Sequence, residues 1–260
     1  MKALTIFAAA SALVGALAPE ALADGRKPGS VLVYPIHRSR QEMNGDYWFT
    51  IVCVTNTATS PQTPISFGGS TYAHFEYYNV TPNPNDPFKP FGCSIFDRVE
   101  FLTPADTLCV LTSCHNAFGQ PGNAPGQEGY LTVTAEDPSQ SPGNAWQHNF
   151  LIGSELVMSA SGASYMLDAI PFDALRPMPT RTPNGPLRLD GQNYEGVPDQ
   201  LYGDFVAATN SRLTMLNLTG GPTLCNQLYF AVYNDNERPL SATLRFSCWF
   251  DQPLSSVNPL

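Results

Sequence analysis

The chain has 260 residues, 43 % of them hydrophobic, with 24 prolines, 20 glycines and six cysteines. Its 22 acidic residues outnumber 13 Lys and Arg, and the net charge of −9 offers no footprint for nucleic-acid phosphates or anionic lipid. So much Pro and Gly beside that hydrophobic fraction describes short strands joined by many turns rather than a low-complexity chain.

Residues 1–23 read as an export signal. Lys2 precedes an apolar, charge-free run from Ala3 to Leu17, Pro19 and Glu20 break it, and Ala21-Leu22-Ala23 supplies a small-x-small cleavage site. The run is too short and too rich in alanine to span a membrane. The mature chain is expected to begin at Asp24 and to be secreted, periplasmic or held at the cell surface. No later segment reaches the ~20 apolar residues of a membrane helix, so no integral membrane segment is expected in the mature chain.

Strand signals follow in chain order. Val31–Ile36 is an apolar run that His37-Arg38 should stop. In Tyr47–Thr55 both faces carry bulk, which predicts a strand buried on both sides. Thr71–Asn79 alternates Ala73, Phe75 and Tyr77 against Tyr72, His74, Glu76 and Tyr78, and the proline-rich stretch Thr81–Pro90 must be a loop. Ser94–Leu102 and Leu108–Leu111 flank Thr103-Pro104-Ala105-Asp106, a turn with Pro at its second position. A Gly- and Pro-rich loop over Phe118–Gly129 leads to the alternating Tyr130–Glu136. Phe150–Met158 and Ser164–Ile170 come next, then a mostly irregular Pro171–Pro198. Leu213–Leu218, Leu228–Asn234 and Ser241–Phe250 close the chain, the last with Ala242, Leu244, Phe246, Cys248 and Phe250 on one face. No long segment has a helical period; Phe172–Leu175 and Pro198–Phe205 could each make a turn or two. The pattern predicts an all-β fold, an antiparallel immunoglobulin-like sandwich as one large or two tandem units. The boundaries are 24–160 for a first β-sandwich domain and 161–260 for a second β-rich domain or a continuation of the same sandwich.

The segments Leu102-Thr103-Pro104-Ala105-Asp106-Thr107-Leu108, His115-Asn116, Gly129-Tyr130-Leu131-Thr132-Val133, Asn149-Phe150-Leu151-Ile152-Gly153, Leu187-Arg188-Leu189-Asp190-Gly191 and Tyr233-Asn234-Asp235-Asn236-Glu237 resemble those of a loose group of exported bacterial β-rich proteins of unknown function. The resemblance implies export and a β-rich fold, and transfers no activity to any residue.

Six cysteines in an exported chain predict three disulfides among Cys53, Cys93, Cys109, Cys114, Cys225 and Cys248. Cys225–Cys248 is the favoured pair and Cys109–Cys114 the next. On one continuous strand the latter two would stand about 17 Å apart, so they can pair only if the chain turns near Thr112-Ser113.

No nucleophile elbow, zinc-protease helix, phosphate-binding loop or Cys-x-x-Cys pair occurs. No cofactor, metal ligand set or catalytic residue is assigned. His115 is the histidine of most interest, as a base awaiting a partner, while His74 should face solvent or a neighbouring side chain and His37 and His148 carry no signal. Glu76, Asp97, Glu100, Glu136 and Asp137 are the carboxylates that a glycan-cleaving site could use. The turns Asn83-Pro84-Asn85-Asp86 and Asn234-Asp235-Asn236-Glu237 offer oxygens to Ca²⁺ but also suit plain turn chemistry. Trp48, Tyr72, Tyr78 and Trp249, with His115, form the candidate ligand surface, since aromatic rings in a row stack on sugars or on a partner protein. The reading is an exported, disulfide-stabilised, non-catalytic binding or structural protein whose partner outside the cytoplasm is a protein or a glycan. The alternative is a carbohydrate-binding or glycan-cleaving secreted protein.

Overall fold

The computed structural model describes residues 27–41, 45–116, 127–140, 143–179, 187–198, 211–218, 225–233 and 239–254. The export signal, the centre of the 118–129 loop, nearly all of the 198–205 segment and the 234–237 turn lie outside the described residues.

The described chain is all-β and antiparallel. Its strands are β1 (Val31–Gln41), β2 (Tyr47–Asn56), β3 (Thr71–Thr81), β4 (Gly92–Leu102), β5 (Thr107–Leu111), β6 (Gln127–Glu136), β7 (Leu151–Ser159), β8 (Ser164–Asp168), β9 (Ile170–Phe172), β10 (Arg212–Leu216), β11 (Cys225–Tyr233), β12 (Pro239–Ser247) and β13 (Trp249–Pro253). One helical turn, Thr112–His115, follows β5. No helix among the described residues is long and apolar enough to cross a membrane.

Strands β4-β3-β6-β1 pair in that order, with β9 also on β1; β2 pairs with both β5 and β7, and β8 extends β7. Strand β1 joins the two groups. It pairs with β6 from Val31 to Ser39, the register shifting between Tyr34 and His37, and then Arg40 and Gln41 pair with Trp48 and Tyr47 of β2. Pro35 sits within that shift, where the missing N–H costs no ladder bond. The strand therefore does not stop at His37-Arg38, as the charge pattern suggested. It bends, and both residues are buried.

Alternation decides what each strand buries. Leu32 and Tyr34 of β1, Val52 and Val54 of β2, Ala73, Phe75 and Tyr77 of β3, and Leu131 and Val133 of β6 meet in the main core. Full burial of each large side chain contributes about 1.5–3 kcal/mol. Tyr34 donates its hydroxyl to the Cys53 carbonyl at 2.9 Å. Gly153 makes the room, because a Cβ there would overlap that hydroxyl. The other face of β1 packs Val31 and Val33 on Ala174, Leu187, Leu189 and Tyr194. Strands β1 and β6 are thus buried on both faces, and β2 is not. In β2, Thr50, Val52 and Val54 are buried, whereas Phe49, Ile51, Cys53 and Thr55 on the opposite face are partly open.

At the C-terminal end β11 pairs with β12 and β13 with β10. The 241–250 run, expected as one strand, breaks at Cys248, which has a positive φ of 60°. Cys248 and Trp249 pack on Tyr78, Val80 and Tyr130. Met215, Leu244, Phe246 and Phe250 form a further cluster, with Phe88 stacked on Phe250 at 5.0 Å.

Two disulfides form, Cys53–Cys109 and Cys93–Cys248, while Cys114 and Cys225 are free and exposed. Neither expected pair is present. The chain does turn at Thr112–His115, but Cys109 stands directly opposite Cys53 in the β2–β5 register. Cys225 stands opposite Ser247, one residue short of Cys248.

Candidate functional site

The outward face of β3 is polar in its middle. Tyr72, His74, Glu76 and Tyr78 point away from the main core because Ala73, Phe75 and Tyr77 point into it. Pairing with β6 sets His74 against Thr134 and Glu76 against Thr132, and pairing with β4 sets Glu76 against Asp97. Glu136, opposite Tyr72, lies diagonal to His74.

These positions bring a histidine and three carboxylates together. The imidazole Nδ1 lies 2.6 Å from Glu136 Oε1, and Glu136 Oε2 accepts the Gly143 N–H at 2.7 Å. Because an ionised carboxylate only accepts, Nδ1 carries the proton. The second nitrogen, Nε2, is buried, has no hydrogen-bond partner and lies 3.7 Å from Asp97 Oδ1. Glu76 accepts the Thr132 hydroxyl at 3.0 Å. One ligand atom from each of His74, Glu76 and Asp97 lies within 4.8 Å of the others. Glu76 and Glu136 are fully enclosed, whereas the Asp97 side chain is 39 % exposed, so the cluster opens to solvent on the β4 side.

A second cluster surrounds His115. Tyr77 donates its hydroxyl to His115 Nδ1 at 2.7 Å, and Nε2 faces Glu100 Oε1 at 3.3 Å. Arg98 Nε donates to the same Glu100 oxygen at 2.9 Å. Burial, with the Arg98 charge next, lowers the His115 pKa, and burial raises that of Tyr77. His115 thus has a carboxylate within reach, but it is itself buried and both ring nitrogens are engaged. Its phenol partner faces the main core. The arrangement ties the Thr112–His115 turn to β3 and β4.

The four aromatic candidates do not share one exposed row. Tyr78 and Trp249 are buried in the same cluster. Trp249 donates its ring N–H to the Pro35 carbonyl at 3.0 Å. Tyr72 is half-buried, edge-on to Phe101, and Trp48 is half-buried beneath the Arg38 guanidinium at 5.7 Å. The Asn83–Asp86 turn spends side-chain oxygens on its own backbone: Asn83 accepts the Asn85 N–H and Asp86 accepts the Phe88 N–H. Glu76, Asp97 and Glu136 were legible as acids in strands. Their convergence on His74 was not, because it depends on the pairing of β3 with β4 and β6.

Comparison with protein-family models, with curated proteins and with solved structures returns no match.

Proposed function

We propose that this chain is an exported, disulfide-stabilised, non-catalytic binding or structural protein acting outside the cytoplasm, built as an immunoglobulin-like sandwich. The observation that carries the reading is the pair of disulfides joining residues 56 and 155 positions apart in sequence. Such cross-links persist where the environment oxidises thiols. The export signal read from residues 1–23 agrees with it, and the acidic charge argues against nucleic acid as a partner. A single sandwich continuing past residue 160 is the organisation we favour, since β8 pairs with β7 and β9 with β1. The burial of Tyr78 and Trp249 weighs against a glycan platform made from the four rings.

The test is a fusion of residues 1–30 to a reporter that is active only after export. Activity that disappears when residues 3–17 are deleted or Leu13 and Leu17 become Arg supports the reading. A reporter that stays inactive and cytoplasmic overturns it.

A further inference from the structure

We propose that His74, Glu76 and Asp97 bind a divalent first-row transition-metal ion, zinc being the probe of choice, with Glu136 positioning the imidazole. The proposal is independent of the export reading, since it concerns only the outward face of β3 and β4.

The argument starts at Glu136. Its carboxylate holds His74 Nδ1 at 2.6 Å and is itself held by Gly143 N–H at 2.7 Å, so the ring orientation and the tautomer are both set. A metal-binding histidine is commonly oriented in this way, with its remote N–H on a carboxylate and its other nitrogen free to coordinate. The free nitrogen here is buried without a hydrogen-bond partner and faces Asp97 across 3.7 Å. In the neutral ring that places a lone pair against an acceptor-only carboxylate, an arrangement that a cation between them would turn from repulsive to attractive.

The donor set selects the ion. One imidazole with two carboxylates suits zinc and its first-row neighbours, whereas Ca²⁺ takes six to eight oxygens and gains nothing from imidazole. Donor atoms around a tetrahedral zinc lie about 3.4 Å apart, given bond lengths near 2.0–2.1 Å. The observed separations, up to 4.8 Å, therefore need only a modest inward movement. Asp97 is the group placed to make it, because its side chain is the most exposed of the three. Three protein ligands leave a fourth position open toward that exposed side. The competing arrangement is a doubly protonated His74 bridging Glu136 and Asp97, which needs no metal.

The experiment is a titration of zinc into the disulfide-intact, chelator-treated chain, with the exposed thiols of Cys114 and Cys225 alkylated so that they cannot bind. The expected result is one zinc per chain, with affinity reduced at least about tenfold in Asp97→Asn and His74→Gln, and about 10–100-fold in Glu136→Gln. Bound Co²⁺ should give visible d–d bands that Asp97→Asn removes. Asp97→Asn is isosteric at an exposed position, and unchanged far-ultraviolet circular dichroism establishes that it folds. Three outcomes overturn the proposal: no zinc uptake by the unsubstituted chain, uptake unchanged in Asp97→Asn and His74→Gln, or displacement of zinc by an equal concentration of Ca²⁺. So does a ¹⁵N spectrum in which both His74 nitrogens stay protonated when zinc is added.

Discussion

Arg38 of β1 and Asp251 of β13, 213 residues apart, form a buried ion pair. Asp251 also accepts Arg212 Nη2 at 2.7 Å and the Thr214 hydroxyl at 2.9 Å, while Arg38 lies over the Trp48 ring and near Glu128. The pair fastens the β10–β13 ribbon to the strand that joins the two sheet groups. Burying two charges costs desolvation, so the intact pair need not stabilise much; removing one partner is another matter.

Asp251→Ala leaves the Arg38 guanidinium buried without its main counter-charge. Unfolding in urea should show a loss of about 3–5 kcal/mol relative to the unsubstituted chain. A loss under about 1 kcal/mol, the scale of an exposed pair, would show that water reaches Arg38.

Acid should destabilise the fold through its buried histidines, of which His37 and His148 are shifted furthest. Burial pushes both His37 and His148 down to about 4, the effect on His37 being offset in part by the Tyr78 backbone. Unfolded histidine titrates near 6.5, so from pH 6.5 down to about 4 the unfolded chain takes up protons that the folded chain refuses. Stability then falls as pH falls, by about 1.4 kcal/mol per pH unit for each histidine, and neither contributes a slope above that window. His37→Phe keeps an aromatic edge against Tyr77, whose centroid is 5.5 Å away, and removes one of these titrations while leaving those of His148 and His115 in place. Denaturation midpoints from pH 4 to 7 should show the variant's slope reduced by one proton's worth. The raised pKa values of Glu128 and Glu155 act in the opposite sense in both proteins and cancel in the comparison. Identical slopes would contradict the burial of His37.

The turn at Thr103–Asp106 can be improved. Ala105 holds a φ of 58°, in the left-handed region, while Asp106 N–H donates back to the Thr103 carbonyl at 3.2 Å. A positive φ at the third position of a turn suits glycine. Ala105→Gly relieves a cost of about 1–2 kcal/mol, and the looser unfolded chain returns part of it. Chemical denaturation should show a net gain of about 0.5 kcal/mol or more; a loss would mean that Ala105 is not in that conformation.

Local pattern carried much of this fold, and long-range register carried the rest. The alternation of Ala73, Phe75 and Tyr77 against Tyr72 and His74 identifies β3 and its core face directly, and Pro104 marks the turn before β5. Alternation could not say that the outward face of β3 would be covered in part by Trp249, which buried Tyr78. Nor could it anticipate the backbone break at Cys248, where an unbroken apolar alternation runs through a residue of positive φ. The cysteines show the same limit: Cys53 meets Cys109 only through the β2–β5 register, and Cys93 meets Cys248 only once the chain end reaches β4. His74 and Glu136 are 62 residues apart, and nothing in either neighbourhood signals the other.

A non-reducing peptide map of the chain recovered from outside the producing cell tests the account most directly. It should begin at Asp24, contain the linked pairs Cys53–Cys109 and Cys93–Cys248, and label only Cys114 and Cys225 with an alkylating reagent before reduction. A chain found only in the cytoplasm with Met1 intact and all six cysteines alkylated would contradict it.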